Sequence, residues 1–295
     1  MNFKTQSRLL LMQAAALARA DEWALRLQKR KGPPLGLIVV VHETPRPLEA
    51  QFRQQLEWVS RHFTITSLEA FAKLWARPSA PEAGSKPSVL FTFDDGRESN
   101  YTIAAPLLES FGGRGVFFIV PAFAECAVDE ALAFYRSRIN PDSRPGDEKW
   151  EDWRPMNPGQ VADLAARGHA IGSHTLTHRR LVGLSLDQLE QEIGGGARKL
   201  AEWTKKPVDA FAWTFGWNAI DPKAWKVILR HHRFCFAPCA GVIDCREDST
   251  SLLWRREIEV RSCPAEYRFL YSGLVDPWWS RRRKWLRQML GSGHA

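Results

Sequence analysis

Two short segments of this 295-residue chain hold side chains that can do chemistry together. Thr92-Phe93-Asp94-Asp95-Gly96 ends an apolar run with two adjacent carboxylates, and His174-Thr175-Leu176-Thr177-His178 sets two imidazoles four residues apart. One carboxylate and two histidines make a facial set of metal ligands, with positions left for water and substrate. The second carboxylate is then available as a base, which completes the equipment for metal-assisted hydrolysis. Asp-Asp-Gly alone is also an ordinary polar turn, and His-x-x-x-His alone is also a pair of surface histidines. The two segments support each other because each directly follows an apolar strand. If 174–178 is helical, its histidines share a face. Successive strand residues point to opposite faces, so Asp94 and Asp95 can serve one site only where the strand ends and the chain turns, which Gly96 permits.

These residues need elements to position them. Residues 37–41 and 89–93 are continuous apolar runs that read as fully buried strands. The first ends at His42 and the second delivers Asp94 and Asp95. Further strands are read at 63–65, 115–120, 169–172, 208–213, 234–237 and 254–260. Helices are read at 48–60, 67–75, 99–111 and 158–167, and another starts at Ser185, where Gln188 completes a capping box. Gly194, Gly195 and Gly196 interrupt that last helix; at up to about 1 kcal/mol each relative to alanine they predict a kink or a frayed middle. Residues 77–87 read as an exposed loop, and 121–158 as a long segment covering one face. Strands alternating with helices predict a mainly parallel α/β sheet or barrel, with its site at the C-terminal ends of the strands.

Hydrophobic residues make up 44% of the chain, enough for one large buried core. No apolar run approaches the roughly 20 residues needed to span a bilayer. Lysine plus arginine number 41 against 33 acids, with much of the excess at the two ends, which points to an anionic surface nearby such as lipid or a charged glycan. No recognition motif accompanies this charge, so nucleic acid is not expected. Five cysteines without a CxxC pair read as free thiols in a reducing compartment. A second metal site from Cys235, Cys239, His231 and His232 is disfavoured, because Cys235 alternates with Phe234 and Phe236 as a strand residue does. Residues 1–36 read as an N-terminal helical extension, amphipathic rather than a signal peptide, and so place the chain in the cytoplasm, with peripheral contact to an anionic membrane. A periplasmic location follows instead if residues 1–20 are cleaved. Residues 276–295 form a basic, Trp-rich C-terminal helix that lines up Trp278, Trp285, Leu286, Met289 and Leu290 opposite Arg281, Lys284, Arg287 and Gln288. Arg282 falls near its apolar side. Docking on the barrel and lying on a membrane are both readings of this helix.

The chain resembles the polysaccharide deacetylase family, the NodB-homology group of carbohydrate esterase family 4. The likeness runs from about residue 37 to 260 and is carried by Thr92 to Gly96 together with Gly168-His169-Ala170-Ile171-Gly172-Ser173-His174-Thr175-Leu176-Thr177-His178. It implies an α/β fold, a distorted (β/α)7 barrel of the NodB-homology type over 37–275 with N-terminal and C-terminal helical extensions. It also implies that Asp95, His174 and His178 hold a divalent metal ion, zinc by preference, and that Asp94 is the catalytic base.

Three departures from the family pattern matter. Where the family has an Arg-Pro-Pro-Tyr-Gly-like motif this chain has Ala212-Trp213-Thr214-Phe215-Gly216. The base therefore lacks its usual arginine, while the Phe215 backbone N–H keeps a role at the oxyanion that needs no side chain. No match to the following Asp/Trp motif is found. In place of the late histidine that serves as general acid stands Trp254-Arg255-Arg256-Glu257-Ile258, which resembles the branch linked to exopolysaccharide, capsule and O-antigen synthesis. Arg256 is assigned here as the base's partner; an arginine is a poor proton donor. His42 is assigned as the acid, its Val41-His42 step resembling the Tyr-His of that branch, and His169 is read as structural. The function implied is a hydrolase of carbon–nitrogen bonds, removing N-acetyl groups from a cell-surface polysaccharide or its lipid-linked precursor. Two further readings stand beside it: an O-acetyl esterase or N-deformylase on related glycans, and a glycan-binding or scaffold protein that keeps the fold without turnover.

Overall fold

The computed structural model describes residues 20–30, 35–76, 86–142 and 153–291. Among the described residues ten strands form one sheet: β1 (Leu35–Val41), β2 (Thr64–Ile65), β3 (Ser88–Phe93), β4 (Val116–Ile119), β5 (Ala170–Ser173), β6 (Ala210–Ala212), β7 (Phe234–Ala237), β8 (Val242–Asp244), β9 (Leu253–Trp254) and β10 (Arg256–Glu257). The order is β10-β1-β3-β4-β5-β6-β7-β9, and each pairing along that path is parallel. Because only Arg255 separates β9 from β10, one short segment pairs with β7 at its start and with β1 at its end. It is a split seventh strand, and it closes the sheet into a seven-membered barrel. Two short strands account for the distortion. β2 pairs parallel with the beginning of β3, and β8 pairs antiparallel with the beginning of β1.

The helices follow the sequence pattern: α1 (Ala20–Arg30), α2 (Glu49–His62), α3 (Leu68–Ala76), α4 (Ala105–Ser110), α5 (Pro121–Ala124), α6 (Val128–Phe134), α7 (Pro158–Ala166), α8 (Leu186–Thr204), α9 (Pro222–His231), α10 (Pro264–Tyr271) and α11 (Asp276–Leu290). Capping boxes start α7 at Asn157 with Gln160, and α8 at Ser185 with Gln188. Alternation along the strands divides the core in two. Val39, Val41, Phe91, Phe93, Phe117 and Ile119 pack outward with Phe52, Leu56 and Leu108 of the helices. Ile38, Leu90 and Phe118 fall in the second cluster. Phe118 of β4 meets Phe236 of β7 with ring centroids 5.0 Å apart, although these strands are not neighbours, so this second set reaches across the barrel interior.

The extensions dock differently from one another and from the sequence expectation. Leu25 of α1 is buried in the outer core while Trp23 is exposed; residues 1–19, which bear on the signal-peptide question, lie outside the described residues. α11 packs on the barrel through Leu286 and Leu290. Trp278 and Trp285 remain exposed, so the apolar stripe read from sequence is only partly a packing face. The segment expected to cover one face holds α5, α6 and a π-helical turn at Tyr135–Ile139, with 143–152 outside the described residues; so is most of the 77–87 stretch. No described helix is long and apolar enough to cross a membrane.

A barrel-mouth site with an Asp-His-His donor set

The carboxylates sit where β3 ends. Asp95 and Gly96 both take positive φ, at 72° and 80°, so the turn begins one residue earlier than the glycine alone suggests. This conformation lets two adjacent carboxylates face one site despite strand alternation. Asp95 Oδ1 lies 3.7 Å from His174 Nε2 and 3.6 Å from His178 Nε2. Its other oxygen, Oδ2, accepts from Arg97 Nη2 at 3.2 Å and Nε at 3.3 Å. Arg97 is itself buried, stacked over the Tyr135 ring and 3.5 Å from Glu43. Sequence reasoning passed over Arg97, although a cation two residues after the ligand was a usable signal.

The histidines are not on a helix. Residues 174–178 form an irregular turn after β5, in which Thr175 and His178 take positive φ of 62° and 56°. The shared-face expectation therefore fails as a mechanism while the convergence it sought is present. A β-branched residue in the left-handed region costs energy and persists only when its surroundings fix it. Here α8 does so. The Leu176 backbone N–H donates to the Glu192 carbonyl at 2.8 Å, and the Glu192 carboxylate accepts from the Thr177 N–H at 3.0 Å and hydroxyl at 2.8 Å. α8 runs unbroken through Gly194 to Gly196, so the expected kink is absent. A Cβ on Gly196 would lie 2.9 Å from Ser173 Oγ and 3.2 Å from the Leu176 nitrogen. The glycine thus permits helix and histidine turn to touch.

Each imidazole is oriented by a carbonyl. His174 Nδ1 lies 2.9 Å from the Ala212 oxygen, and His178 Nδ1 lies 2.6 Å from the Arg138 oxygen. A carbonyl can only accept, so the proton is on Nδ1 and each Nε2 presents a lone pair. Arg138 comes from the π-helical turn at Tyr135–Ile139, a local widening of the kind that recurs at functional sites. Burial and the neighbouring His174 hold the His178 imidazole down to about 4, which favours its neutral form. Burial raises the Asp95 carboxyl, but the buried Arg97 guanidinium outweighs it and keeps the group ionised. One carboxylate oxygen and two Nε2 atoms within 4.8 Å of one another, all buried, match the donor chemistry of a divalent N/O site.

Asp94 is held by a different residue from the one assigned on sequence. Arg255 Nη1 and Nη2 donate to its two oxygens at 2.6 and 2.9 Å, a bidentate pair, and Nη1 also reaches Thr92 Oγ1 at 3.3 Å. Arg256 points the other way, donating to the Leu270 carbonyl and to Asp276 at the start of α11. Arg256 is therefore a structural cation, and the assignment moves by one residue. Asp94 Oδ2 lies 4.0 Å from His174 Nε2. Burial pushes the Asp94 carboxyl up, yet the Arg255 guanidinium, with the His42 imidazolium, holds it down to about 2.

A cavity of about 670 Å³ opens over these groups, and His42, Asp94, Asp95, His174, His178 and Phe215 all line it. His42 Nδ1 sits 3.3 Å from Glu259 and 3.7 Å from Glu257, carboxylates that sequence reading did not connect to the site. Desolvation lowers the His42 pKa, but the Glu259 hydrogen bond and charge prevail and raise it to about 9. Phe215 has φ of 61°, and its ring lies 4.8 Å from that of His178. His169 is structural, as read: its Nδ1 accepts from the Gly115 N–H and its Nε2 faces Glu109 at 2.8 Å. The five cysteines are free, His231 pairs with Glu190, and His232 with the Val208 carbonyl.

Fold and site together define a barrel-mouth hydrolase scaffold, and comparison with known proteins gives its lineage. The sequence model of the polysaccharide deacetylase family matches residues 82–231, just over half of the chain, so the chain belongs to that family. A curated relative, the Bacillus subtilis protein YxkH, provisionally assigned as a polysaccharide deacetylase, is 24% identical over 145 residues. The match covers 48% of this chain and 41% of YxkH, so the chain spans well under half the length of that relative. The BpsB deacetylase domain of Bordetella bronchiseptica shares the fold with a TM-score of 0.60 at 16% identity, covering 76% of this chain and 96% of that one. IcaB of Ammonifex degensii does so with a TM-score of 0.59 at 17% identity, covering 81% and 95%. A de-N-acetylase of Aggregatibacter actinomycetemcomitans scores 0.60 at 14% identity, covering 80% and 99%.

Proposed function

We propose that this chain is a metal-dependent N-deacetylase that removes acetyl groups from amino sugars of a cell-surface polysaccharide or its lipid-linked precursor. The observation that carries this reading is one ionised carboxylate, Asp94, clamped by Arg255 beside a separate Asp95-His174-His178 donor set in a cavity large enough for a sugar. A divalent ion bound by Asp95, His174 and His178 would polarise the acyl carbonyl and acidify a water molecule.

The chain's own groups then have distinct tasks. Asp94 takes the proton of the attacking water, and Arg255 fixes its orientation and charge. The Phe215 backbone N–H serves the oxygen on which negative charge develops. As the carbon–nitrogen bond breaks, acetate is released and the departing amine needs one proton. His42, protonated at neutral pH beside Glu259, supplies it. An amine depends on that proton more than an alkoxide does, which supports the amide over the ester reading. Acetate release from N-acetylated oligosaccharides by the zinc-loaded protein tests the proposal. Asp94→Asn should abolish release while metal analysis still finds the ion bound. A zinc-loaded wild type that releases no acetate from any N-acetylated glycan, yet binds them, would favour the glycan-binding alternative.

A further inference from the structure

One wall of the cavity is unlike the rest. Phe215 and Trp217, which follow β6, line it together with Trp279 of α11. Arg282, one turn further along α11, is sandwiched between the two indoles, with its guanidinium carbon 4.0 Å from the Trp217 centroid and 4.7 Å from the Trp279 centroid. Arg180 stacks in the same way over Phe215 at 4.6 Å. Among the described residues neither Arg180 nor Arg282 has a carboxylate partner. By contrast, Arg97 pairs with Asp95 and Glu43, Arg255 with Asp94, Arg256 with Asp276, and Arg261 with Glu43. Glu43, Asp142, Glu257 and Glu259 line the same cavity. His42 thus lies among carboxylates, while the cations Arg180 and Arg282 stack on aromatic rings that line the cavity.

We propose that Trp217, Trp279 and Arg282, with Arg180 on the Phe215 ring, form a subsite for an anionic sugar unit adjacent to the residue whose acetyl group is removed. An indole face matches the C–H face of a pyranose, because the ring's negative quadrupole meets weakly positive hydrogens. A guanidinium held flat by two rings keeps its N–H edge free to fork onto a carboxylate or phosphate. The Glu257 and Glu259 carboxylates beside His42 repel the same anion, which disfavours seating it there. Trp279 and Arg282 come from the C-terminal helix, which makes that extension part of substrate selection and not only a brace for the barrel. The inference rests on the cavity being a glycan site, as proposed above.

The test is calorimetric titration of the zinc-loaded protein with matched probes. One pair is a neutral N-acetylglucosamine tetrasaccharide and a tetrasaccharide alternating glucuronate with N-acetylglucosamine. A second pair, N-acetylglucosamine and its 1-phosphate, separates phosphate from carboxylate as the preferred anion. At low salt the preferred anionic probe should bind about tenfold more tightly than its neutral counterpart, and the advantage should shrink as salt screens it. Arg282→Gln should bring the two affinities within about twofold, whereas Trp279→Ala should weaken both probes together, because stacking is blind to charge. Equal binding of both pairs by the wild type overturns the proposal. So does a preference that survives the Arg180→Gln, Arg282→Gln double variant. Acetate release measured alongside keeps the two readings apart: a charge preference without turnover sinks deacetylation and leaves the subsite, and turnover without preference does the reverse.

Discussion

The end of β3 and the split closing strand each carry a pair of identical charged residues, and the backbone treats the pairs in opposite ways. At Asp94 and Asp95 the strand has ended and Asp95 enters the left-handed region, so both carboxylates serve one site. At Arg255 and Arg256 neither residue has positive φ, and the side chains part: Arg255 to Asp94 at the barrel mouth, Arg256 to Asp276 beneath α11. Adjacent residues share a function only where the chain turns between them, and otherwise divide it between two faces of the sheet.

The largest effect should come from the ligand set. His174→Ala should lower zinc affinity by at least about a hundredfold, read as metal retained after dialysis; full retention would break the first half of the comparison. Arg255→Gln should reduce kcat for acetate release by about 100- to 1,000-fold, through loss of the orientation and charge of Asp94. Arg256→Gln should leave kcat within about threefold and instead cost about 2–3 kcal/mol of unfolding free energy, discounted because Asp276 is partly exposed. If the two arginine variants exchange these phenotypes, the division of labour at the closing strand is wrong.

Two smaller tests sharpen the contrast between a turn held from outside and a strand held by its ladder. Gly196→Ala should destabilise by about 1–3 kcal/mol and weaken zinc binding, since the added carbon lies 2.9 Å from Ser173 Oγ. Gly195→Ala, whose nearest neighbour is 3.7 Å away, should instead stabilise by up to about 1 kcal/mol in chemical denaturation. The smallest effect concerns pH. The folded-state pKa of His42 is raised from 6.5 to about 9, so its stabilising contact with Glu259 is fully present below pH 6.5 and is lost as pH rises through about 9. The wild type should therefore lose more stability than His42→Gln between pH 6.5 and 9.5, measured by urea midpoints; parallel curves for the two proteins would remove this contact from the account.

Much of the barrel was legible because its strands are local and chemically plain. The runs at 37–41 and 89–93 are short, apolar apart from Thr92 and without alternation, as strands buried on both faces are, and both are strands of the barrel. Ser185 and Gln188 announced α8 through capping chemistry. The kink expected at Gly194 to Gly196 did not appear, because propensity counts the lost side chains and cannot see the histidine turn that needs the space.

The sequence by itself determined the donor types, their order along the chain and their placement at strand ends, since each of these depends on neighbours within a few residues. Tertiary structure decided the rest. Strand alternation sends Arg255 and Arg256 to opposite faces, but no local pattern reveals which of the two faces inward. The carbonyls of Ala212 and Arg138 that set the histidine tautomers lie 38 and 40 residues from their partners. Arg282 of the C-terminal helix meets Trp217 only because α11 folds back over the barrel mouth. Such contacts are fixed by barrel closure, and closure is a property of the whole chain.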